Sequence, residues 1–176
     1  MTTVSTPPTK ESSEIWVGID PGTVKTGVSL FSGTRLIESK VVRVPAGREM
    51  IERTLLMGDR VSAEVALMLP RRDPRTINIV FETPGYQGKM RAKGLVGMGM
   101  GMGCVNYALY SAGYKMHHIT VSEWSRLGGG VCRSKEYRAD LIGKLFPGYD
   151  PTKDKGMDAA DAIGIVAWKL GMLASY

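Results

Sequence analysis

The run Ile15-Trp16-Val17-Gly18-Ile19 is apolar throughout and stops at the turn Asp20-Pro21-Gly22, which reads as a short strand ending on an acid. Ile77 to Phe81 repeats the pattern apart from Asn78, with Glu82 at its end. A continuous apolar run of this length is expected of a strand buried inside a sheet, so the rest of the chain has to cover it. Thr26 to Phe31 and Leu36 to Val44 read as two further strands. The connection Ser32-Gly33-Thr34 between them is short enough that they should pair antiparallel. From Arg48 to Leu69 apolar residues recur at three- and four-residue steps, which predicts a helix stopped at Pro70 ahead of the charged loop Arg71-Arg72-Asp73-Pro74.

Residues 92 to 113 alternate glycine with methionine from Gly97 to Gly103. Glycine disfavours a helix by about 1 kcal/mol per position relative to alanine, yet Val105, Leu109 and Ala112 keep helical spacing, and Gly113 would cap the segment. We read a helix whose small residues let another backbone approach. Lys115 to Val121 is a further strand, Ser122 caps a short helix through Arg126, and Gly128-Gly129-Gly130 is a flexible loop. Ser134 to Leu145 is a helix stopped by Pro147, and a last helix runs from near Met157 to about Leu173. The order predicts an α/β fold with a mixed central sheet, antiparallel leading strands and flanking helices. Residues 1–13, rich in Thr, Ser and Pro, read as a flexible arm ahead of one domain at 14–176.

No apolar run approaches the ~20 residues of a membrane span, and the first residues lack the apolar core of a signal peptide, so the expected location is the cytoplasm. Cys104 and Cys132 are far apart and lack C-x-x-C spacing, which argues against a zinc site or disulfide framework. The formal charge of +6 favours a polyanionic partner, and its placement sharpens the point. Lys89, Arg91 and Lys93 follow Glu82. Arg126, Arg133, Lys135 and Arg138 surround the glycine loop. Lys153 and Lys155 precede the last helix. Basic residues thus bracket the acids, as a phosphate-binding surface would require.

The acids carry the chemistry. Asp20 and Glu82 end strands, where a side chain is held firmly while the following loop leaves room for substrate. Asp158-Ala159-Ala160-Asp161-Ala162 places two carboxylates at i and i+3, on one face of the last helix. Acids in a first turn commonly do no more than cap it, but this helix continues Ile163, Ile165, Val166, Trp168 and Leu170. A largely buried helix with two carboxylates calls for a counter-charge, and a divalent cation is the simplest. Four carboxylates without a histidine select Mg²⁺ or Mn²⁺ over zinc. Two such ions about 3.5–4 Å apart suit phosphodiester hydrolysis. His117 and His118 sit in a strand and do not read as ligands, and Trp124 and Trp168 read as core.

Val17-Gly18-Ile19-Asp20-Pro21-Gly22 with Thr26-Gly27 resembles the opening motif of the RuvC-type Holliday junction resolvases, members of the RNase H-like superfamily. Val80-Phe81-Glu82 resembles that family's second strand-end acid, and Asp158-Ala159-Ala160-Asp161-Ala162 its closing helix. The three motifs keep their order over essentially Ile15 to Leu173, and the pattern is similar to that of phage-encoded members. The resemblance implies an RNase H-like fold, a homodimer, and paired symmetric nicks across four-way DNA junctions with two Mg²⁺ ions per site. It makes Asp20, Glu82, Asp158 and Asp161 the metal ligands, places Lys135 near the scissile phosphate, and makes Tyr86 a candidate for the aromatic that wedges the junction. Thr83 to Gly88 departs from the family pattern. An RNase H-like nuclease acting on RNA, an RNA–DNA hybrid or other branched DNA keeps the same acids and stays open. An actin-like ATP-binding fold would need a second phosphate-binding segment and about twice the length; neither is present.

Overall fold

The computed structural model describes residues 14–83, 92–126 and 134–174. Three strands lead the chain: β1 (Ile15–Asp20), β2 (Lys25–Ser32) and β3 (Arg35–Arg43). β4 (Ile77–Thr83) and β5 (Lys115–Thr120) complete one sheet in the order β3-β2-β1-β4-β5. β1–β2 and β2–β3 are antiparallel, while β1–β4 and β4–β5 are parallel. The sheet is therefore mixed, with the antiparallel leading strands at one side, as the short connections require. β1 and β4, the two most apolar runs, lie adjacent in its middle.

Side chains alternate across a strand, so each buried strand feeds two cores. Val17, Ile19, Ile79 and Phe81 meet α1 (Met50–Met68) and α2 (Ala92–Ser111) on one face. Val80 and Ile119 face the other way, towards α3 (Val121–Trp124), α4 (Lys135–Leu145) and α5 (Asp158–Lys169). Among the described residues, no helix is long and apolar enough to cross a membrane.

The methionine-glycine segment is helical, and only some of its glycines serve close packing. Gly101 faces Thr23 and Thr54, and Gly58 of α1 lies against the backbone of Cys104. Gly99 and Gly103 face open space. Gly113 ends the helix with φ +92°, its N–H donating to Tyr110 O while Tyr114 N–H reaches Leu109 O.

Two boundaries differ from expectation. The cap of α3 is Thr120, not Ser122. Glu123 accepts from both the Thr120 N–H (2.5 Å) and the Thr120 hydroxyl (2.7 Å), so the last strand residue doubles as the cap and Val121 already belongs to the helix. α5 ends at Lys169, not near Leu173, because Gly171 adopts φ +72° and the N–H groups of Gly171 and Met172 turn back to Trp168 O and Ala167 O.

Candidate active site

Ile19 pairs with Phe81 in the parallel register, so Asp20 and Glu82 leave the sheet side by side at the same end of neighbouring strands. Alternation sends both to the face that carries Gly18 and Val80, the face covered by α5. There α5 lies directly on the sheet. The Ser29 hydroxyl donates to Ala162 O at 2.8 Å, and the backbone of α5 touches β1 at Gly18 and β2 at Gly27. That contact brings Asp158 and Asp161, in the first turn of α5, to the two strand-end acids.

The electrostatics record the crowding. Burial, then the charges of Glu82 and Asp161, hold the Asp20 carboxyl well above the usual carboxylate range. Glu82 is pushed up to about 7, mainly by burial, although the donor it receives from Trp124 works the other way. Asp161 is raised by burial against the opposing pull of Arg138 and Lys135. Burial disfavours the ionised form of each of these acids, and the donors are all hard oxygens, so a divalent cation of the Mg²⁺ class would fit the set and favour its ionised form. Among the described residues, no three acid, histidine or cysteine side chains are already drawn together as a metal site. Two side-chain cations lie among the acids instead. Lys135 Nζ is 3.2 Å from Asp158 Oδ1 and 2.9 Å from Asp161 Oδ2. Arg138 Nη2 is 3.1 Å from Asp161 Oδ1. Burial alone would lower the Lys135 pKa, but Asp161, Asp20 and Asp158 together push it up to about 12. The acids around it thus favour its charged form.

Arg138, expected on the DNA-facing surface, is drawn inward onto Asp161, and its guanidinium carbon lies 4.7 Å from the Trp124 ring centroid. Arg126, Lys153 and Lys155 are exposed, and Lys153 pairs with Asp150 at 3.0 Å. Tyr86, Lys89, Arg91 and Arg133, with the side chain of Lys93, lie outside the described residues. His117 is spent on Asn78 and the Trp16 ring, and His118 on Asn106.

In the sequence Trp124 reads as a core residue alone. It is buried, yet its indole N–H donates to Glu82 Oε2 at 2.7 Å, and a partner 42 residues away leaves no local signal. This bond favours the ionised carboxylate. Trp124→Phe is therefore expected to raise the Glu82 pKa and move the acid limb of any pH–rate profile upward by about half a unit to one unit. An unshifted profile, measured from pH 5.5 to 9.5, would remove Trp124 from the site.

No family model matches the chain. It is 29% identical over 168 residues to the crossover junction endodeoxyribonuclease RuvC of Leifsonia xyli subsp. xyli (strain CTCB07), covering 90% of this chain and 76% of that protein. Among solved structures it matches T. thermophilus RuvC in complex with Holliday junction substrate, with TM-score 0.66 and 20% identity over 91% of this chain and 96% of that one. The Thermus thermophilus RuvC structure gives 0.61 and 20% over 89% and 96%. The yeast mitochondrial Holliday junction resolvase Ydc2 gives 0.57 and 14% over 96% and 83%. The structural matches show that the chain shares the fold of these proteins. Joined to a sequence match over nine-tenths of its length, they make this chain similar in both sequence and fold to RuvC-type Holliday junction resolvases.

Proposed function

We propose that this chain is a metal-dependent endodeoxyribonuclease that resolves four-way DNA junctions by paired nicks. The observation that carries the reading is the convergence of Asp20, Glu82, Asp158 and Asp161 at one end of the sheet, in a chain whose sequence resembles a crossover junction endonuclease. Asp20, Glu82, Asp158 and Asp161 would hold two divalent ions, which supply charge neutralisation for the phosphodiester and acidify water. Without such a counter-charge the four carboxylates would repel a phosphate. Lys135 and Arg138 keep the acids oriented, and the Lys135 ammonium, at the edge of the acid cluster, is suited to a phosphate oxygen beside the acids. Arg126, Lys153 and Lys155, with Lys89, Arg91, Lys93 and Arg133, would carry phosphates farther along the arms, and Tyr86 would meet the junction centre.

The test is cleavage of an end-labelled immobile four-way junction, a matched duplex and an RNA–DNA hybrid, each with Mg²⁺ and with EDTA. Metal-dependent nicks at symmetric positions confined to the junction are expected. Cutting of the hybrid alone would keep the fold and the acids and move the substrate to RNA.

Paired nicks need two sites, and the outer face of α1 and α2 is suited to join two copies. Ile51, Leu55, Leu95, Val96, Tyr107 and Tyr110 are exposed there. A shallow 370 Å³ pocket lies between the helices, lined in part by Leu55, Gly103, Cys104 and Tyr107. Gly99 and Gly103, open to solvent one helical turn apart, would allow a second helix to approach closely. Tyr107 is 71% exposed, so Tyr107→Glu is expected to leave the fold intact and yield a monomer in sedimentation, with paired cleavage reduced by about tenfold or more. A dimeric, fully active variant would place the interface elsewhere.

A further inference from the structure

The start of α5 has no cap of its own. Met157 precedes it with φ +56° and a side chain that accepts no strong hydrogen bond. Asp154, three residues earlier and 5% exposed, supplies the missing acceptors. Its Oδ1 accepts the Asp158 N–H at 3.1 Å and its Oδ2 accepts the Ala160 N–H at 3.0 Å. The Tyr149 hydroxyl donates to the same Oδ2 at 3.1 Å, and the Asp154 carbonyl accepts the Met157 N–H at 2.9 Å. One buried carboxylate thus satisfies two free N–H groups of the first turn, with both oxygens engaged. Its charge suits the helix N-terminus, and charge-assisted bonds are stronger than neutral ones.

We propose that Asp154, held by Tyr149, is a positioning residue that sets the register of α5 and thereby places Asp158 and Asp161 against Asp20 and Glu82. The inference rests on the metal-dependent reading of that site. Three observations take it beyond ordinary capping. The bonded N–H is that of Asp158 itself, so the carboxylate acts on the backbone of a site acid with no residue between. Asp154 also brings a further negative charge next to an acid-rich site, where a neutral Ser or Asn cap would avoid the repulsion but offer only one side-chain acceptor. Finally, its chain neighbours Lys153 and Lys155 are exposed on either side of it. Burial of Asp154 therefore turns both lysines outward at the start of the acid helix. The same residue that fixes the acids fixes the nearest basic loop.

Metal and reactive groups tolerate displacements of only about 0.5 Å, and losing a residue that orients a ligand typically weakens metal binding by about 10–100-fold. Asp154→Asn keeps the size and one acceptor and loses the second. Mn²⁺ titration calorimetry without DNA is expected to give about tenfold weaker binding for Asp154→Asn and a smaller loss for Tyr149→Phe. Cleavage by both should recover at high Mn²⁺, with junction binding in EDTA within about twofold of wild type. Leu69→Ala, a core substitution at the end of α1, serves as the control: it lowers the melting temperature and should leave Mn²⁺ affinity unchanged. Wild-type affinity in Asp154→Asn, or an equal loss in Leu69→Ala, overturns the proposal. Should Asp154→Asn fail to fold, Tyr149→Phe decides by the same comparison. Failure of the underlying reading looks different: wild type itself would then bind no Mn²⁺ and cut no junction.

Discussion

Asp20→Asn is expected to abolish cleavage and, with no metal added, to make the protein more stable. Both effects follow from one placement. Asp20 ends β1 beside Glu82 and within reach of the charges of Asp161 and Asp158, and its carboxyl is held well above its ordinary range by burial first and by these neighbours next. The amide is nearly isosteric, removes one buried charge and leaves Lys135 and Arg138 with Asp158 and Asp161. Loss of a ligand central to the site should lower the cleavage rate by about 10³-fold or more, while junction binding, which depends on phosphate contacts elsewhere, persists. Between pH 4.5 and about 7, the metal-free folded protein holds protons on Glu82 that the unfolded chain has released. Stability should therefore fall as pH rises through that window and stay low above it, by on the order of 1–3 kcal/mol. Asp20→Asn relieves part of this repulsion, so its metal-free melting temperature at pH 8 should exceed that of wild type, and added Mg²⁺ should stabilise wild type more than the variant. Full activity in Asp20→Asn would remove Asp20 from the catalytic group. A variant that melts lower than wild type in EDTA would show that the acids are not in electrostatic conflict.

The parts of the site that could be read in the sequence are those whose role is local. Asp20 and Glu82 announce themselves because an apolar strand must stop somewhere, and an acid at the stop is conspicuous. Asp158 and Asp161 do so because they interrupt a helix whose residues from Ala159 to Ala167 are otherwise apolar and buried. Trp124, Arg138 and Asp154 were not legible, each for a physical reason. The partner of Trp124 lies on β4, 42 residues away in the chain. Arg138 sits among basic residues that bracket the acids, and nothing in spacing distinguishes a guanidinium that turns inward onto Asp161 from one that faces solvent. Asp154 lies between two lysines in a polar loop and reads as one more solvated charge, although it is among the most buried polar residues described. The fold was more legible than the site's supports because periodicity and turn residues act over a few positions. The helix-end errors at Ser122 and Leu173 arose where a neighbouring Thr and a left-handed glycine outcompeted the expected signals.

Gly18→Ala is expected to have the largest effect on stability of any single methyl addition to β1, and the reason links the strand motif to the closing helix. A β-carbon at Gly18 would overlap the carbonyl oxygen of Ala162, and would also lie 2.7 Å from Ser29 Oγ and 2.8 Å from Val166 Cγ2. The Ala162 oxygen belongs to the backbone of a buried helix and already accepts from Ser29, so it cannot swing aside as a flexible side chain would. The helix must lift from the sheet, opening the core formed by Val80, Ile163, Val166 and Trp124. Overpacking of this kind should lower stability by at least ~3 kcal/mol. Gly27 on β2 meets the carbonyl of Asp158 in the same way, so both glycines act as the floor on which the acid-bearing turn of α5 rests. Any Gly18→Ala protein that folds should therefore bind Mn²⁺ more weakly than its lowered stability explains, because Asp158 and Asp161 are displaced from Asp20 and Glu82. Gly47 offers the control, since a β-carbon there meets nothing within 4 Å and Gly47→Ala should leave both melting temperature and metal affinity near wild type. Urea unfolding and Mn²⁺ titration of the two variants together decide the matter. Equal behaviour would mean that α5 can shift without loss, and that the glycine before Asp20 is not what brings the acids together.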